Sequence, residues 1–169
     1  MTQDQFFDFE REGVIRTKAG GSRVFFISTR GWAVIERQLY GTFFSGASVM
    51  LTEMGMGYGR GVAKEVMKVT KEPYLVLKTL EELSMAAGWG SVEVKGDLKT
   101  DTSLEVHVVR CAFCASGEVG KEPLCYFLAG VCAGTAAEAF GVGYTATEKK
   151  CVRAGDPLCV IALARDSPR

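Results

Sequence analysis

The sequence predicts an α+β fold, an α/β mixture in which helices pack on an antiparallel sheet. Two observations predict it. Strand-like runs come in neighbouring pairs, at Val14 to Ser28, Trp89 to Cys111 and Val142 to Arg165. Between the pairs, apolar residues fall at helical spacing, through Trp32 to Thr70, Pro73 to Ala87 and Glu122 to Phe140. Strands adjacent in sequence pair antiparallel most simply, and the intervening helices then cover the sheet. A length of 169 residues fits one domain, 1–169, and an apolar content of 47% is enough for a sizeable core.

Taken in order, Phe6 to Phe9 (FFDF) is an apolar arm that packs either on a partner subunit or on the chain's own core. Val14 to Thr17 and Arg23 to Ser28 read as a hairpin, with Gly20-Gly21 supplying the turn. A helix follows over Trp32 to Phe44, with Thr29 as its N-cap. A second apolar helical run covers Ala47 to Met56. The segment GMGYGRG, Gly55 to Gly61, then reads as a connection to a further helix over Val62 to Thr70. It is not a phosphate loop, because it lacks the Gly-Lys-Ser/Thr ending and the G-x-G-x-x-G pattern.

Pro73 starts the next helix and Gly88 stops it. Trp89 to Lys95 and Leu104 to Cys111 alternate as a strand pair around a polar loop. The helix from Glu122 to Phe140 carries Gly130, Ala133, Gly134, Ala136 and Ala137. So thin a helix allows close approach of another helix or leaves room for a ligand. Val142 to Lys150 and Leu158 to Arg165 form the last strand pair, and the DSPR tail is expected to fray.

Charge and composition exclude several classes of function. Twenty basic and twenty acidic residues leave no net charge, so direct nucleic acid binding lacks the basic excess it needs. No apolar run is long enough for a membrane span. The acidic start of the chain has no signal-peptide pattern. Six cysteines in such a chain point to a reducing, cytoplasmic setting, where thiols serve as ligands or core residues.

The candidate site lies in the last third. Cys125 opens the thin helix, Glu148 and Cys151 end a strand, and the Gly155-Asp156-Pro157 turn brings the chain back to Cys159. Three thiols and a carboxylate at element ends are the donors of a sulfur-rich tetrahedral metal site, for which Zn²⁺ is the preferred ion. A site filled by four protein ligands is structural. Glu148 and Cys151 stand three apart, so a regular strand would send them to opposite faces. A shared metal therefore requires irregular backbone near Lys149 and Lys150. Spacing alone leaves open the alternative of unconnected buried cysteines.

Two further sets are candidates. Cys111 and Cys114 form a C-x-x-C pair, a possible second thiol site that would bind another metal, replace a ligand or switch by oxidation. His107, the only histidine, is a candidate for a ligand cavity, against the plainer reading of a hydrogen-bonded or exposed strand residue. Cys132 lies on the helix face of Cys125 and reads as buried. No catalytic residues stand out, and no dinucleotide or flavin fingerprint is present.

The run EPLCYFLAG, then TEKKC, then AGDPLC, resembles the signature of the 4-vinyl-reductase domain family. Cys125, Glu148, Cys151 and Cys159 match its pattern in type and order. The spacing is also similar to that of the zinc-bearing sensor domains of bacterial aromatic-responsive transcription activators. The strong match covers about the last quarter of the chain, and the Cys111–Cys114 pair departs from it.

The resemblance implies a fold shared with TRAPP trafficking-complex subunits, usually homodimeric. It also implies a structural Zn²⁺ and a cavity beside it for small hydrophobic or aromatic molecules. Some members act in bacteriochlorophyll synthesis. Those that regulate transcription carry an ATPase and a DNA-binding region, and neither is read in this sequence. The leading expectation is thus a small-molecule sensor or carrier. The alternatives are an enzyme or accessory protein in tetrapyrrole vinyl reduction and a protein-interaction module.

Overall fold

The computed structural model describes residues 3–97, 103–115 and 125–167. Strands β1 (Phe7–Phe9), β2 (Ile15–Thr17) and β3 (Arg23–Val24) form a small antiparallel sheet in that order. The β2–β3 hairpin turns where Gly20-Gly21 predicts, with Gly21 at φ +72° and its N–H donating to Thr17 O. The FFDF arm serves its own chain: β1 pairs with β2, and buried Phe7 meets Phe26 edge-on at 5.8 Å.

Helix α1 spans Thr29–Phe43. Its cap is Ser28 rather than Thr29, since Ser28 Oγ accepts the Gly31 N–H at 3.0 Å. Helix α2 runs unbroken over Gly46–Val66, so the glycine-rich segment is helix interior and not a connection. Local propensity disfavours glycine there, and tertiary packing overrides it. Helix α3 (Pro73–Ala86) starts at the proline and ends before Gly88, at φ +82°.

Strands β4 (Ser91–Gly96), β5 (Ser103–Val109), β6 (Tyr144–Lys150) and β7 (Cys159–Arg165) form the main sheet in the order β4-β5-β7-β6, antiparallel throughout. Helix α4 (Tyr126–Phe140) packs on it. Glu122 and Pro123, the expected helix start, lie outside the described residues, as do Pro168 and Arg169 of the tail. The core is built from Leu104, Val106 and Val108 of β5, Ile161 and Leu163 of β7, and Leu128, Ala133 and Ala136 of α4. Buried Glu81 on α3 accepts the Val94 N–H and pairs with Lys78, which ties this helix to the edge strand β4.

The thin face of α4 is used for close helix packing. Gly130 and Gly134 on α4 face Gly55 and Gly59 on α2, each pair four residues apart and so on one helix face. A Cβ at Gly55 would strike the backbone of Phe127, and one at Gly59 that of Val131. A Cβ at Gly130 would strike the Thr52 backbone, and one at Gly134 the Met56 backbone. The two helix backbones touch, which excludes side chains of any size from the seam.

Candidate metal centre and ligand cavity

The thiols come together where α4, the β6–β7 connection and the end of β5 meet. Cys125, Glu148, Cys151 and Cys159 place one ligand atom each within 4.8 Å of the others, and all three cysteines are buried. Local structure explains how Glu148 and Cys151 share this spot. The β6–β7 register shifts between Glu148 and Lys150, a bulge at the position where irregular backbone is required. Beyond it, Asp156 Oδ2 accepts the Cys151 N–H at 2.8 Å, and Gly155 takes φ +98°. That turn reverses the chain so that Val152 N–H points at Cys159 Sγ, 3.5 Å away. Asp156 therefore positions the loop through a specific hydrogen bond, a role that a Gly-Asp-Pro turn signal does not reveal.

The C-x-x-C pair does not form a separate second site. Cys111 and Cys114 join Cys125 and Cys159 in one cluster. Cys114 Sγ lies 3.0 Å from Cys125 Sγ, 3.5 Å from Cys159 Sγ and 3.7 Å from Cys151 Sγ. The path there depends on Arg110, whose φ of +56° ends β5 and turns the chain inward. Ala112 N–H then donates to Trp89 O, and a single 3-10 turn over Ala112–Cys114 delivers the second thiol. Cys132 is buried outside this cluster, and burial pushes its thiol up to about 12.

The electrostatics suit a cation. Hydrogen bonds from Cys111, Cys114, Cys125 and Cys151 hold the Cys159 thiol well below the ordinary range. Its neighbours Cys114 and Cys125 are pushed up, chiefly by the hydrogen bond each shares with Cys111. Burial raises the Glu148 carboxyl to about 8 against the opposing pull of the Cys125 amide, which donates to Glu148 Oε2 at 2.9 Å. Glu148 Oε1 is buried with no hydrogen-bond partner among the described residues. An orphaned carboxylate oxygen beside converging sulfurs matches the donor set of a thiolate-rich divalent metal.

One wall of the cluster is also the wall of a cavity of about 760 Å³. Trp32, Tyr58, Trp89, Phe113 and Phe127 are among the residues that line it. They touch one another in a continuous cage. Trp32 lies 4.9 Å from Phe127 and 5.5 Å from Phe113, and Trp89 lies 5.1 Å from Phe113 and 5.8 Å from Tyr58, between ring centroids. Phe113 stands between the two C-x-x-C thiols, and Phe127 two residues after Cys125. The sequence reading missed all five rings, because residues 14 to 95 positions apart carry no common spacing signal. Trp32 Nε1 is buried without a hydrogen-bond partner among the described residues.

A partly buried ion pair ties the cavity helix to the thiol loop. Arg153, in the turn between Cys151 and Cys159, donates to Glu36 on α1, with Glu36 buried and Arg153 half-buried. Burial raises the Glu36 carboxyl, and the Arg153 hydrogen bond and charge oppose that rise.

His107 lies elsewhere. It sits on the face of β5 opposite buried Val106 and Val108, bonds Glu105 at 2.9 Å and is not among the residues lining the cavity. The structure thus favours its plainer reading.

No protein-family model and no curated protein matches this chain. Solved structures do. The phenol-responsive sensory domain of the transcription activator PoxR, solved with phenol, superposes with a TM-score of 0.80 at 20% identity, covering 96% of this chain and 86% of that one. A trafficking protein particle complex subunit 3 from Naegleria fowleri, covalently bound to palmitic acid, gives 0.65 at 14% identity over 82% and 93%. A vinyl-4-reductase family protein from Methanocaldococcus jannaschii gives 0.57 at 20% identity over 79% and 76%. The α+β fold implied by the sequence resemblance is the fold found, one that this chain shares with a phenol sensor domain, a vinyl-4-reductase family protein and a trafficking-complex subunit.

Proposed function

We propose that residues 1–169 form a single small-molecule sensor or carrier domain. It takes an apolar, aromatic ligand into the ring-lined cavity and is held in shape by one structural Zn²⁺ at Cys125, Glu148, Cys151 and Cys159. The observation that carries this reading is the aromatic cage with one unpartnered indole N–H. Buried donors need acceptors, so the preferred ligand is a planar apolar molecule bearing one oxygen, such as a phenol. The likeness in fold to a domain solved with phenol supports the same class.

The zinc takes no part in chemistry here; it ties α4 to the β6–β7 loop and supplies folding free energy. No helix among the described residues is long and apolar enough to cross a membrane. The chain acts as a homodimer. Val34, Phe43 and Phe44 at α1, and Val49, Met50 and Met54 on α2, are exposed large apolar side chains that a second copy would cover.

Native mass spectrometry of the freshly purified protein, followed by titration with phenol, tests the reading. One zinc per chain, a dimer and saturable phenol-dependent quenching of tryptophan fluorescence are expected. Saturable turnover of a divinyl tetrapyrrole with a nicotinamide cofactor, and no phenol binding, would favour the vinyl-reduction reading instead.

A further inference from the structure

Cys114 stands at the centre of the thiol cluster, and neither the family pattern nor the ligand set above uses it. We propose that Cys114 is itself a zinc ligand, so that the ion in this chain is held by four thiolates, Cys114, Cys125, Cys151 and Cys159, with Glu148 outside its direct contacts. The inference rests on the zinc reading and revises one of its four ligands, Cys114 taking the position given above to Glu148.

Geometry is the first argument. A tetrahedral ion with zinc–sulfur bonds of about 2.3 Å has sulfur–sulfur edges of about 3.8 Å. Cys125 Sγ lies 3.9 Å from Cys151 Sγ and 3.7 Å from Cys159 Sγ, and Cys114 Sγ lies 3.7 Å from Cys151 Sγ and 3.5 Å from Cys159 Sγ. The Cys114–Cys125 edge, at 3.0 Å, opens by less than an ångström when an ion enters. Cys111 is the lesser candidate: its sulfur lies within 4.8 Å of those of Cys114, Cys125 and Cys159, whereas Cys114 Sγ comes within 3.7 Å of Cys125, Cys151 and Cys159 alike.

Ligand chemistry is the second argument. Thiolate outcompetes carboxylate for a borderline-soft ion. Glu148 already accepts the Cys125 amide through Oε2, at the N-terminus of α4. There it orients a ligating residue without being one, as outer partners of metal sites do.

Charge is the third. Four thiolates on a divalent ion carry a formal excess of two negative charges. The Val152 N–H aimed at Cys159 Sγ and the positive end of α4 at Cys125 both oppose that excess.

This assignment couples the metal to the cavity. Cys114 follows Phe113, whose ring packs against Trp32, Trp89 and Phe127. Zinc bound to Cys114 anchors that ring in the cavity wall.

The test is zinc-edge X-ray absorption on the full chain, with metal content measured alongside. Wild type and Glu148→Gln are expected to show four sulfurs near about 2.3 Å. Cys114→Ser is expected to show three sulfurs and one oxygen. Three sulfurs and one oxygen in the wild type, unchanged in Cys114→Ser, would overturn the inference. So would loss of a sulfur from Cys111→Ser with none lost from Cys114→Ser. If Cys114→Ser does not fold, the comparison of wild type with Glu148→Gln decides. An unchanged four-sulfur spectrum supports the inference, and an oxygen lost from the wild-type pattern overturns it. A wild-type protein that binds no zinc at all would sink the zinc reading itself, a result distinct from a three-sulfur site.

Discussion

The two halves of the molecule are built on opposite principles. In the C-terminal half, α4 is buried on nearly every side, pressed backbone to backbone against α2 and joined to β6 and β7 by thiols. In the N-terminal half, β1 to β3 and α1 form a thin layer with exposed apolar residues, Phe25 and Phe44 being 85% and 74% accessible. The first half has little freedom left and the second has surplus apolar surface. The cavity lies along the seam between them, and Phe113 and Phe127 belong to the tight side while Trp32 belongs to the loose side. A binding site at such a seam gains preorganised rings from one wall and adaptability from the other.

Removing the thiol clasp should have the largest effect. Cys151→Ser or Cys159→Ser is expected to abolish both zinc binding and cooperative folding, read by metal content and circular dichroism. Normal stability in both variants would show that the tight half needs no metal. Acidification should release the ion as the thiolates protonate, with zinc retained toward neutral and alkaline pH.

Next in size is the helix seam. Gly134→Leu forces a side chain into the Met56 backbone and should destabilise by about 3 kcal/mol, the upper end of overpacking costs, in urea unfolding. Gly57→Ala, where a Cβ meets nothing within 4 Å, serves as the control and should be neutral or stabilising.

Arg153→Ala leaves Glu36 without its partner and should cost about 1–3 kcal/mol. It should also weaken phenol binding, because α1 loses its tie to the thiol loop. A loss of stability with phenol affinity unchanged would show that the two halves are not coupled through this pair.

Trp32→Phe keeps a ring and deletes the orphan N–H. Stability should change by less than about 1 kcal/mol, while phenol affinity falls roughly tenfold, the size of one lost hydrogen bond. The smallest effect belongs to His107→Ala, which should stay within about 0.5 kcal/mol and leave phenol titrations unchanged.

Local signals carried much of the fold. Pro73, Gly88 and the Gly20-Gly21 turn marked element ends correctly because each acts through its own backbone geometry. The bulge beyond Glu148 was legible for a different reason: two donors three apart on a strand cannot meet without one. The glycine-rich stretch misled, since glycine weakens a helix locally but permits helix contact in three dimensions.

By itself, then, the sequence determined the α+β class, the antiparallel strand pairs and the three thiols with a carboxylate at element ends, because these follow from spacing and turn chemistry along a short stretch of chain. Only the tertiary structure decided that α2 passes unbroken through its glycines, that Cys111 and Cys114 join the same cluster, that five distant rings enclose one cavity and that His107 faces away from it. Those outcomes depend on which surfaces meet, and contact between residues far apart in the chain leaves no periodicity in the sequence.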